Sequence, residues 1–200
     1  MKISLSDLEQ VETPLECTEL LIYGDESSSL IFQCIQHILQ NIIKLSIVNV
    51  NLDEIDTSNL PNLTHLKIIE KGHQPVFIKT PESLISLDIY ATMGIIIYLA
   101  MPSTKLVNLS LHGILYQKDM IKSICSLAQL KSIDLEIMTV EEEIKFPSSI
   151  ESIKLKIIEP QSPISYKSSC TVYIPRSLTH FDFNYLPQSP NKKNIKIKTI

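Results

Sequence analysis

Three stretches, Leu63-Thr-His-Leu-Lys-Ile68, Leu84-Ile-Ser-Leu-Asp-Ile89 and Leu106-Val-Asn-Leu-Ser-Leu111, share one pattern: apolar-x-x-apolar-x-apolar. The pattern recurs at Ile42/Leu45/Ile47, Leu130/Ile133/Leu135, Ile150/Ile153/Leu155 and Leu178/Phe181/Phe183. Cys17/Leu20/Ile22 is an earlier, degenerate copy, and Ile195/Ile197 opens a partial last one. First positions at 42, 63, 84, 106, 130, 150 and 178 are separated by 21, 21, 22, 24, 20 and 28 residues. Chance triplets do not keep such a rhythm. Pro61, Pro81, Pro102, Pro147 and Pro175 each stand two to four residues before a first position. There proline ends the preceding segment without disturbing the strand ladder that follows.

The last two apolar positions of each unit are two apart, so both face one side of a strand. A single strand cannot bury that side. Stacked neighbours can, and the apolar residues then form continuous interior columns. The pattern resembles the leucine-rich-repeat family over about residues 17–197. The family's Asn is replaced by Val50, Lys71, Thr92, Ile114, Met138, Ile158 and Leu186. Phe146-Pro-Ser-Ser-Ile and Ile174-Pro-Arg-Ser-Leu-Thr-His are similar to the Pro-x-Ser-Leu variants, such as FNIP-type or BspA-like repeats. The resemblance implies one domain over 1–200: an α/β solenoid, β-dominated, a horseshoe of about nine short parallel strands with an irregular convex side. That side is expected to be helical around Leu30–Leu39 and Met120–Cys125. It is expected to be short and β-rich at Val76-Phe-Ile, Gly94-Ile-Ile-Ile-Tyr and Thr171-Val-Tyr-Ile. The longest unit, with Pro160, Pro163 and a serine cluster, reads as a surface loop.

A hydrophobic content of 44% and a charged content of 20% match ordinary soluble domains. The net charge of −4 gives no general attraction to nucleic acid or anionic membrane. The longest apolar run, Gly94–Met101, is too short to span a bilayer, and the first ten residues lack a signal-peptide core. Cys17, Cys34, Cys125 and Cys170 show no C-x-x-C spacing, which argues against zinc and fits a reducing, cytoplasmic compartment. No cofactor is expected.

In-register stacking makes equivalent positions lateral neighbours about 4.8 Å apart. The residue after each last apolar position then runs Tyr23, Val48, Ile69, Tyr90, His112, Glu136, Lys156, Asn184. The first five make an apolar and aromatic stripe where solvent is expected, the composition of a partner-binding surface. The alternative is that loops simply cover it. The position between the last two apolar residues sets Lys67 beside Asp88, and Lys154 between Asp134 and Asp182. Glu136 and Lys156 adjoin in the stripe itself. These charges either satisfy one another or form a charged docking strip.

A hydrolase reading rests on His65 beside Ser86 with Asp88 two residues along. No Gly-x-Ser-x-Gly elbow or oxyanion-hole element accompanies them. Asp88 and Asp134, two units and roughly 10 Å apart, lie just beyond glycosidase spacing. His65 and His180, about 24 Å apart, cannot share a metal. The sequence therefore points to a non-catalytic protein-interaction scaffold whose partner is another protein or peptide. The hydrolase and a fragment of a longer repeat protein are the alternatives. Self-association through the C-terminal strand edge is also expected, unless residues 160–175 fold over it.

Overall fold

The computed structural model describes residues 1–8, 10–24, 32–50, 54–70, 76–100, 105–115, 118–138, 143–158, 170–186 and 195–200. In chain order its first strands are β1 (Lys2–Ser4), β2 (Glu19–Tyr23), β3 (Lys44–Val48), β4 (Glu54–Asp56), β5 (His65–Glu70), β6 (Val76–Lys79), β7 (Ser86–Ile95) and β8 (Ile97–Ala100). They continue as β9 (Asn108–Leu115), β10 (Ser132–Met138), β11 (Ile144–Lys145), β12 (Ser152–Ile158), β13 (Cys170–Ile174), β14 (His180–Leu186) and β15 (Ile195–Thr199). Short helices are α1 (Leu5–Leu8), α2 (Phe32–Ile35), which runs into a 3-10 turn at Gln36–Leu39, and α3 (Lys118–Cys125).

The repeat units stack as a β-dominated solenoid. A front sheet of nine strands has the order β1-β2-β3-β5-β7-β9-β10-β12-β14, with every pairing parallel. The return segments build two rear sheets, β4-β6-β8 and β11-β13-β15. Between them in the chain, α3 takes the place of a return strand. The interior columns are those the repeat dictates. Leu20, Leu45, Leu66, Leu87, Leu109, Ile133 and Ile153 are buried in one, and Ile22, Ile47, Ile68, Ile89, Leu111, Leu135 and Leu155 in the next.

Three assignments differ from the sequence reading. Gly94 and Ile95, expected in a return segment, belong to front strand β7, and the return strand β8 begins at Ile97. The ninth front strand is β1, whose three residues are too few to display the pattern. Ile195–Thr199 opens no further front strand; it pairs with β13 in the rear sheet. Period-two alternation looks the same in front and return strands, so the pattern alone could not separate them. The helix expected from Leu30 begins, among the described residues, at Phe32. Leu30, Ile31, Lys71, Pro102 and the loop around Pro160 and Pro163 lie outside the described residues.

The Pro-x-Ser-Leu segments have a clear physical role. The carbonyls of Pro81, Pro147 and Pro175 accept the N–H of Leu84, Ile150 and Leu178, closing a turn ahead of each front strand. The serine inside each turn reaches back to the preceding unit. Ser83 Oγ donates to the Leu63 carbonyl at 2.7 Å, Ser149 Oγ to Leu130 at 2.8 Å, and Ser177 Oγ to Ile150 at 2.9 Å. This serine ladder staples successive units. Ser83→Ala and Ser149→Ala should each lower stability by about 0.5–1.5 kcal/mol in denaturant titration, with Ser83→Thr recovering part of the loss. Unchanged midpoints would show that the ladder is geometric only.

The two sides of the stack differ. Beside β1 the interior is closed by buried Leu5 and Leu8 of α1. At the other side β14 and β15 are the outermost strands of their sheets. Phe181 and Phe183 there are only partly buried, and Ile197 is 43% exposed. We propose that this edge self-associates, which a dilution series by sedimentation would detect and Ile197→Lys should abolish. A monomer at all concentrations would refute the contact.

Candidate functional site

Strand alternation turns every second residue of the front sheet outward, and the register sets Tyr23, Val48, Ile69, Tyr90 and His112 side by side on β2, β3, β5, β7 and β9. Tyr23 and Tyr90 are 39% and 38% exposed, whereas Val48, Ile69 and His112 are half-buried. The Tyr90 ring stacks on His112 with centroids 4.7 Å apart and planes 16° from parallel. The Lys67 ammonium lies 5.4 Å from the same ring's centre. Because β5 and β9 flank β7, the two neighbours come from opposite sides. The tyrosine therefore stands upright between them, its edge available to solvent. Lys2 holds the same relation to Tyr23, at 4.6 Å.

The regular stripe ends at His112 for a backbone reason. Tyr90 pairs with His112 and Ile95 with Ile114, so residues 91–94 of β7 have only Gly113 across from them. The β9–β10 ladder slips at the same place, between Leu135 and Ile137. Gly113 takes φ 72°, a left-handed conformation that costs glycine little. Such bulges re-aim side chains and sharpen local twist.

Past the bulge the surface is polar and internally paired. His112 Nε2 shares a 3.0 Å hydrogen bond with Ser110 Oγ and lies 3.4 Å from Asp134 Oδ1. Its Nδ1 lies 3.9 Å from Glu136 Oε2. Lys156 donates to Glu136 at 2.7 Å, and Lys154 is 3.9 Å from Asp134. Of the expected lateral charge pairs, Glu136–Lys156 and Asp134–Lys154 form in this half, whereas among the described residues no ion pair joins Lys154 to its other neighbour, Asp182. Lys67 and Asp88 are register neighbours, yet among the described residues no ion pair joins them.

His65 and Ser86 are neighbours, with Asp88 on the same strand as Ser86. His65 Nδ1, however, is engaged by Thr64 Oγ1 at 2.8 Å, and no hydrogen bond links His65 to Ser86 or Asp88 among the described residues. Nor, among those residues, does any group of three His, Cys, Asp or Glu gather to hold a metal ion. Burial pushes the Cys125 thiol above its ordinary value, which disfavours the reactive thiolate. No helix among the described residues is long and apolar enough to cross a membrane.

The sequence reading missed a concavity of about 880 Å3 on the rear side, lined by Phe77, Lys79, Tyr98, Leu99, Lys118 and Met120 among others. Phe77 and Tyr98, 51% and 45% exposed, stack at 4.6 Å across β6 and β8. The signal was available: alternation within Val76-Phe-Ile and Ile97-Tyr-Leu turns both rings away from the core. Lys79 there is already matched, pairing with Glu54 at 2.7 Å and Asp56 at 3.3 Å.

No family model matches this chain, and no curated protein or solved structure matches it.

Proposed function

We propose that this chain is a non-catalytic, leucine-rich-repeat interaction scaffold. On this reading the front sheet is the concave side of a horseshoe and takes another protein or a peptide along Tyr23, Val48, Ile69, Tyr90 and His112. One observation carries it: two exposed tyrosines stand in line with aliphatic neighbours on an unbroken parallel sheet. Aromatic side chains dominate interface centres because they combine large apolar area with few rotatable bonds. Free thiols at Cys17, Cys34, Cys125 and Cys170 support a cytoplasmic setting.

The test is affinity capture from the native cell with the intact chain and with Tyr90→Ala, quantifying what co-elutes. Species retained by the first and lost by the second support the scaffold. Equal recoveries overturn the stripe as the docking site. Turnover of generic ester or phosphate substrates that vanishes in Ser86→Ala would instead favour the hydrolase.

A further inference from the structure

The apolar stripe is bordered by charge that is not spent inside the protein. In the second half of the front sheet each lysine has a carboxylate: Lys156 with Glu136, Lys154 with Asp134. At the first strands Lys44 is likewise paired, with Glu19 at 2.7 Å. Lys2 and Lys67 are different. Each lies over a stripe tyrosine, and among the described residues neither makes an ion pair. A cation over an exposed ring gains only about 0.5–1 kcal/mol and remains available to a stronger, anionic partner.

From these two lysines we infer that the occupant of the stripe is an extended acidic peptide: carboxylates for Lys2 and Lys67, apolar side chains between them for Tyr23 and Val48, and a further apolar side chain beyond Lys67 for Tyr90. This rests on the scaffold reading above and goes further by naming the partner's chemistry. The register fixes a spacing. Lys2 and Lys67 occupy equivalent positions on β1 and β5, three strand gaps apart across β2 and β3. Three gaps of about 4.8 Å make roughly 14 Å, which an extended chain crossing the strands covers in about four residues. The motif is therefore two acidic residues about four apart with aliphatic or aromatic residues between them. A polyanionic nucleic acid is disfavoured, because Asp88, Asp134 and Glu136 occupy the same sheet face beyond Lys67.

The experiment is selection from a displayed library of random linear peptides on the full chain, on Lys67→Glu and on Tyr90→Ala, each checked for native circular dichroism. Peptides selected on the parent chain should carry the paired acidic residues and should bind Tyr90→Ala far more weakly. Lys67→Glu should weaken those peptides roughly tenfold or more and select Lys or Arg at the matching position. Raising salt should weaken binding to the parent. Tyr90-dependent peptides without acidic bias would overturn the inference and leave the scaffold reading standing. An absence of any Tyr90-dependent peptide would overturn both. Lys67-dependent binding of oligothymidylate that competes with the peptides would overturn the acidic-peptide assignment.

Discussion

Leu87→Ala and Leu109→Ala should each lower the unfolding free energy by about 2–5 kcal/mol. Leu87 is fully enclosed and Leu109 is 2% exposed, each in the same interior column with a neighbouring unit on both sides. Removing three heavy atoms loses their transfer free energy and leaves a cavity. A stacked sheet closes such a gap poorly, because the 4.8 Å strand spacing is set by backbone hydrogen bonds, not by side-chain size. Lys154→Ala is the matched control: it points outward, and its ion pair is long and solvent-exposed, so its cost should stay under about 1 kcal/mol. Denaturant midpoints for the three variants decide the matter. Parent-like midpoints for both leucine variants would mean that the repeat register is wrong.

That register was the most legible part of the molecule. Apolar residues two apart, recurring at a near-constant period, leave a stacked parallel sheet as the arrangement that buries them all. The pairs Leu45↔Leu66↔Leu87↔Leu109 follow directly. The stripe was legible for the same reason, since alternation places Tyr23 and Tyr90 opposite the interior columns. Three things were not. The serine ladder was hidden because a Ser in a turn has many local partners, and only the stacked geometry selects the preceding unit's carbonyl. The slip beyond Tyr90 was hidden because strand pairing by pattern assumes one residue against one. Four residues facing Gly113 alone break that assumption. Alternation alone makes Ser110 an outward, solvent-facing position. It does point outward, but it is 9% exposed beneath His112 and shares that residue's hydrogen bond. Side chains that fold back over their own sheet are invisible to periodicity.

Tyr90→Ala should weaken partner binding by about 2 kcal/mol or more while costing the fold little. The geometry bounds the structural cost. Tyr90 is 38% exposed and contributes to no interior column; what it loses is the stack on His112 and the contact with Lys67. Such contacts are worth about 0.5–1.5 kcal/mol for the stack and at most about 1 kcal/mol for the exposed cation. The binding cost should exceed this, because a partner would desolvate the edge and hydroxyl that solvent now reaches, within a row about 19 Å long. Tyr90→Phe separates the two contributions: it keeps the stack and the apolar area, and should lose only what the hydroxyl supplies on binding. Lys156→Ala, beyond the bulge, should change neither property by more than about 1 kcal/mol, since its pair with Glu136 is a surface ion pair. Thermal melts and titrations against a captured partner check all three variants together. If Tyr90→Ala unfolds the chain, the ring is structure and not an anchor. If it alters neither quantity, docking lies elsewhere, and the exposed Phe77–Tyr98 stack on the rear sheet becomes the next surface to truncate.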